Sequence, residues 1–128
     1  MSANGEDVGL ELNQLRNQKI TLSGGSIAWW PCHIGDNCEI GNAVKIGSLA
    51  HIGASVIIGD NCKIQGGAYI ANKTRIGDDV FIGPNATIMN DKYPPSGDSS
   101  LWQIVEIGNR VVIGGGSNIV AGVSMNDD

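Results

Sequence analysis

Ile34-Gly35-Asp36-Asn37-Cys38-Glu39-Ile40-Gly41-Asn42-Ala43-Val44-Lys45-Ile46-Gly47 opens a stretch in which isoleucine returns at every sixth residue. The series runs on through Ile52, Ile58, Ile64, Ile70, Ile76, Ile82 and Ile88. A period of six fits neither the 3.6 residues of an amphipathic helix nor the simple alternation of a half-buried strand. It is the mark of a parallel β-helix, in which each turn of the coil needs a buried aliphatic at a fixed place. The residue after the isoleucine is Gly35, Gly41, Gly47, Gly53, Gly59, Gly77 or Gly83, as expected of tight corners that require a positive φ. Four residues after each isoleucine the side chain is small: Cys38, Val44, Ala50, Val56, Cys62, Ala68, Thr74, Val80, Ala86. Both positions are expected to point inward and fill a narrow prism.

Three hexads make one triangular coil, so residues eighteen apart should stack at the spacing of roughly 4.8 Å between strands. Ile34 then lies under Ile52, Ile70 and Ile88, and two further columns follow from Ile40 and Ile46. A second run, Ile107, Ile113, Ile119 and Met125, restores the period with Gly108 and Gly114 after it. Leu22 and Ala28 fall on the same phase upstream, which suggests a partial coil at the start. The fold expected is all-β: a parallel β-helix over residues 21–128 with one external loop at 89–106. Residues 1–20 are polar and off the period, and are expected to form a tail or a short helix around Leu10, Leu12 and Leu15.

A chain of 128 residues is one domain, and its formal charge of −5 disfavours nucleic acid, which needs a basic surface. No apolar run approaches the roughly 20 residues of a membrane helix, and no signal peptide is expected, since the first residues lack a charged start followed by an apolar stretch. Cys32, Cys38 and Cys62 all occupy the small inward position on three different columns, so they read as packed free thiols of a cytoplasmic protein.

The period breaks between Ile88 and Ile107. The intervening segment, rich in turn residues and carrying Pro94 and Pro95, should leave the prism and rejoin it near Gln103. Long excursions from an otherwise strict repeat are usually functional.

Asp79-Val80-Phe81-Ile82-Gly83-Pro84-Asn85 followed by Asn90-Asp91-Lys92-Tyr93-Pro94 resembles the hexapeptide-repeat acyltransferases that N-acetylate amino sugars on nucleotide carriers. Trp29 with His33, Gly59-Asp60-Asn61, Lys63-Ile64-Gln65 and Ile113-Gly114-Gly115-Gly116-Ser117 extend the likeness. The resemblance implies a left-handed coil and a homotrimer with sites between subunits. It also implies acetyl-CoA as acyl donor, and direct attack of an amine on the thioester. By it, Gly115, Gly116 and Ser117 lie beside the coenzyme A arm, Asn90, Tyr93 and Gln65 contact the acceptor, and Asp91 orients its amine. The sequence departs from the pattern at Gly66 and Gly67, where asparagines are usual, and at Pro95, where arginine is usual.

His33 and His51 each precede a column isoleucine, so they point outward one coil apart, on a column continuing to Tyr69 and Thr87 and into the loop. His51 is the candidate base for the amine's proton, since its ordinary pKa lies near working pH. Two other classes stay open at this point. One is a non-catalytic trimeric scaffold or degenerate acyltransferase. The other is a γ-class carbonic anhydrase-like metalloenzyme, which needs a third histidine that this chain lacks; no metal site is expected.

Overall fold

The computed structural model describes Arg16 and residues 18–128, and within them the chain is a three-sided solenoid of short parallel strands. Each hexad contributes one two-residue strand whose second member is the column residue. The strands at His33–Ile34, His51–Ile52, Tyr69–Ile70, Thr87–Ile88 and Asn118–Ile119 form one sheet, called here the histidine face. Those at Glu39–Ile40, Ile57–Ile58, Arg75–Ile76, Glu106–Ile107 and Ser124–Met125 form the mixed-charge face. Those at Lys45–Ile46, Lys63–Ile64, Phe81–Ile82 and Val112–Ile113 form the lysine face. The register is the one the period demands: Ile34 pairs with Ile52, Ile40 with Ile58, and Ile46 with Ile64.

Inside the prism, Ile46, Ile52, Ile58, Ile64, Ile70, Ile82 and Ile88 are fully buried, with Val44, Val56, Val80 and Val105 between them. Each buried isoleucine contributes about 1.5–3 kcal/mol. Ile34, Ile40, Ile119 and Met125 are only partly buried, because they belong to the terminal coils. The small position also does polar work. The thiols of Cys38 and Cys62 donate to the carbonyls of Gly53 and Gly77, each at 3.0 Å, one coil above. Ser26 donates to the Gly41 carbonyl at 2.7 Å in the same way. All three cysteines are free, and burial pushes the Cys62 and Cys32 thiols up from their ordinary pKa.

The glycines after the isoleucines have a different purpose from the one the period suggests. None of those seven has a positive φ. The left-handed residue is two places later, at Asn37, Ala43, Leu49, Ser55, Asn61, Gly67, Lys73, Asp79, Asn85, Arg110, Gly116 and Gly122. What excludes a side chain at Gly35 is the next coil: an added Cβ would sit 2.6 Å from the Ala54 nitrogen. At Gly108 it would sit 2.7 Å from the Asp127 nitrogen. Close stacking of corners, and not backbone handedness, selects glycine there.

The corner between the mixed-charge and lysine faces carries a second ladder. Asp60, Asp78, Asn109 and Asp127 each accept the N–H of the corner residue one coil below at 2.7–2.8 Å.

At the start of the solenoid, Gln18–Thr21 (β1) pairs antiparallel with Ile27–Trp30 (β2) around a turn containing Gly24 and Gly25, both at positive φ. β2 in turn pairs with Lys45–Ile46, with Ala28 on the Ile46 column. Gln18, Lys19 and Ile20 are therefore strand, not tail or helix: β1 covers the edge that β2 would otherwise expose. The short-helix expectation for Leu10, Leu12 and Leu15 lies outside the described residues.

Candidate functional site

The solenoid accommodates its excursion without losing a strand. Tyr69 pairs with Thr87 after the usual three hexads, whereas Thr87 pairs with Asn118 only after a much longer stretch of chain. The excess is the segment Asn90–Trp102, inserted in the corner between the histidine and mixed-charge faces. Met89 still donates to the Ile119 carbonyl, and Val105 resumes the small inward position fully buried. The loop is clipped at its root, where Gln103 N–H donates to the Asn90 carbonyl at 2.8 Å and Asp91 bridges Trp102.

Within the loop, the two carboxylates face their own backbone. Asp91 accepts from Tyr93 N–H at 3.1 Å and from Ser96 N–H at 2.9 Å. The Ser96 N–H, followed by that of Tyr93, holds the Asp91 carboxyl below the usual carboxylate range. Asp98 caps the short 3-10 turn Ser99–Leu101, accepting from Ser100 N–H at 2.9 Å and its hydroxyl at 2.6 Å. Asp91 thus has a firm structural task in shaping the loop. Tyr93 stands exposed beside it.

On the histidine face the His33 and His51 rings stack with centroids 4.5 Å apart and planes at 9°. Tyr69 continues the stack over His51 at 4.7 Å and 6°. Burial, and secondarily the positive charge of His33, lowers the His51 pKa below its ordinary value. His51 is therefore a neutral base at neutral pH. Parallel rings at this distance aim their nitrogens side by side, whereas zinc needs each within about 2.0–2.1 Å of one point. Among the described residues no group of three or more His, Cys, Asp or Glu could hold a metal ion.

The remaining expected site residues share the corner between the lysine and histidine faces. Gln65 lies there on one coil and Gly115, Gly116 and Ser117 two coils above. The Gly116 N–H donates to the Pro84 carbonyl at 2.9 Å, and a Cβ on Gly116 would meet nothing within 4 Å. Lower on this corner a shallow pocket of about 270 Å³ is lined by Pro31, Cys32, His33, Leu49, Ala50 and His51.

The expected residues therefore divide into three groups around one face. Gln65 and the glycine run flank it on one side and Asn90, Asp91 and Tyr93 on the other, while His51 stands on the face itself, two coils below the loop and three below the glycine run. Tyr69 and Thr87 separate His51 from the loop along the column. At about 4.8 Å per coil this is roughly 10 Å along the axis. One chain does not close these groups into a single cluster.

Residues 37–72 match the bacterial transferase hexapeptide family (six repeats), and residues 73–89 match the hexapeptide repeat of succinyl-transferase. Residues 37–89 thus carry transferase hexapeptide repeats. Such repeats suggest acyltransferase activity, and transferases built on them typically use acyl-CoA. The matched stretch ends at the loop's root, so the loop and the coils beyond it lie outside it. No curated protein matches the chain. No helix among the described residues is long and apolar enough to cross a membrane.

A second pocket was not expected from sequence. It holds about 240 Å³ between the loop and the corner beneath it, lined by Asn72, Lys73, Asn90, Ser99, Trp102 and Ile104. The signal for it was present in the hexads. Lys73 is a long side chain at a corner position where most coils place Asn, Asp, Ser, Ala or Gly.

Proposed function

We propose that the protein is an acyl-CoA-dependent transferase that N-acetylates an amino sugar carried on a nucleotide, working as a homotrimer of left-handed coils. The observation that carries this reading is the histidine face itself. It carries a partly buried His51 whose pKa is lowered, with the inserted loop two coils above it on one side and an exposed glycine corner three coils above it on the other. Because one chain keeps these groups apart, a neighbouring copy supplies the missing side of the site.

In this reading the acetyl-CoA arm lies along Gly115, Gly116 and Ser117, where bare backbone lets it approach closely. Among the described residues the Gly115 N–H has no acceptor, so it is free to donate to an amide oxygen of the arm, which runs down toward His51 three coils below. Asn90, Tyr93 and Gln65 enclose the sugar, and Asp91 sets the loop that presents it. The acceptor nitrogen attacks the thioester carbon, the carbon–sulfur bond breaks, and the amine's proton passes through His51 to the leaving thiolate. Positioning and proton removal of this kind contribute about 10²–10⁴-fold from the base.

The test is incubation of the protein with acetyl-CoA and a panel of nucleotide-linked amino sugars, following free thiol and the acceptor's mass. One acetyl gained per acceptor, with thiol release dependent on that acceptor, is expected. No acetylated acceptor, together with no rise in melting temperature on adding acetyl-CoA, would leave the scaffold reading in its place.

A further inference from the structure

Three long side chains occupy left-handed corner positions: Leu49 at φ 66, Lys73 at φ 67 and Arg110 at φ 62. L-residues other than Asn and Asp disfavour that conformation, so a long side chain retained there calls for a reason. Arg110 has one within the fold, donating from Nε to the Asp128 carboxylate at 2.7 Å. Leu49 borders the pocket beside His51. Lys73 has no ion-pair partner among the described residues and adds nothing to the core. Its place is the rim of the pocket under the loop.

That pocket is mostly apolar wall with a few polar groups at its edge. Lys73 supplies a compact positive charge, Asn90 and Ser99 supply neutral polar groups, and Trp102 and Ile104 supply apolar wall, while the Asn72 side-chain oxygen accepts the Ala54 N–H one coil below at 2.8 Å. The loop's own carboxylates, Asp91 and Asp98, are turned to loop N–H groups, and among the described residues neither forms an ion pair with Lys73. In a chain of net charge −5 an anion needs such a dedicated cation. A lysine ammonium sharing a pocket with a hydroxyl and an amide suits the several oxygens of a phosphate. The indole suits the face of a ring. At about 240 Å³ the space is below the roughly 300–1,000 Å³ of pockets that enclose whole drug-sized ligands, so it takes one end of a molecule.

We infer that the pocket under the loop binds a phosphate attached to a ring, with Lys73, Asn90 and Ser99 on the phosphate and Trp102 against the ring. This rests on the acyl-transfer reading only in assigning the bound group as the far end of the acceptor. The ligand preference itself follows from the pocket.

The experiment uses the full chain without acyl donor. Uridine 5′-monophosphate, glucose 1-phosphate, uridine and inorganic phosphate are titrated by calorimetry and by the Trp102 indole N–H resonance, assigned with Trp102→Phe. Saturable binding of at least one phosphate-bearing ring is expected, about tenfold or more tighter than uridine or inorganic phosphate, and the tighter of the two names the ring. Lys73→Asn should weaken that binding about tenfold with an unchanged melting temperature, because Asn37, Asn61 and Asn85 already occupy the equivalent corner. Trp102→Ala should abolish the preference over inorganic phosphate. No saturable binding of either phosphate-bearing ring, or binding indifferent to Lys73→Asn, would overturn the inference. Since no acetyl-CoA is present, that failure is separate from failure of acetyl transfer in the assay above.

Discussion

Ile58 and Asp91 show how differently the coils and the loop are held. Ile58 sits in a column, 2 % exposed, with Ile40 below it and Ile76 above, and its environment repeats from coil to coil. Asp91 is held by two N–H groups of its own loop, at contacts that occur once. In the coils the structure follows from burial and a period. In the loop it follows from individual hydrogen bonds between near neighbours in sequence. The first kind of order is stable and says little about chemistry. The second contributes little to the core, and so leaves its residues free to be selected for what they contact.

The sharpest test of that contrast is Ile58→Ala, which should cost about 2–5 kcal/mol by chemical denaturation, as core truncations do. Gly35→Ala should follow. Its Cβ would press on the Ala54 backbone 2.6 Å away, and overpacking of this kind costs about 1–3 kcal/mol. Gly116→Ala meets open space, so its cost should be only the left-handed φ of 72, about 1–2 kcal/mol. If Gly35→Ala proved harmless, stacking would not be what selects glycine.

Removing Asn90–Trp102 and joining Met89 to Gln103 should restore the ordinary three-hexad coil and change stability by only about 1 kcal/mol, since loop closure depends weakly on length. Acetyl transfer should disappear. A large loss of stability would show that the loop is part of the fold's support. Glu39→Ala, on the exposed face, should change stability by no more than about 0.5 kcal/mol.

The smallest effect expected is on pH dependence. The His51 pKa is lowered, first by burial and then by His33, so neutral His51 persists to below pH 6.5 and is lost only as pH falls through the folded value. The acid limb of the transfer rate should therefore lie below 6.5. His33→Gln should move it upward without reaching 6.5, because the burial contribution remains. A limb that ignores His33 would mean that another group titrates.

Legibility in the sequence follows the same division. The isoleucine columns, the outward His33–His51–Tyr69 column and the place of the loop could all be read, because a six-residue period leaves one choice of inside and outside. The strand at Gln18–Thr21 could not, since its role is to cover an edge and all four of its residues are exposed, off the six-residue period. The glycine corners were legible as positions but not in their cause, because close stacking and positive φ favour the same residue. The pocket at Lys73 and Trp102 was hidden for a plainer reason: the two are distant in the sequence, and only the fold of the insertion brings them together.

The central claim is that a working site needs His51 from one copy and the loop from another. It is tested most directly by mixing two variants, His51→Gln and Asp91→Asn, each purified alone and then unfolded and reassembled together. Alone, His51→Gln should transfer acetyl at about a hundredth of the unmutated rate or less, on the scale of a positioned base, and Asp91→Asn, which loosens the loop, at about a tenth or less. Random reassembly should return about a quarter of the unmutated rate, because about one in four interfaces then pairs an intact His51 with an intact loop. Activity that stays at the sum of the two variants after mixing would contradict a site shared between copies.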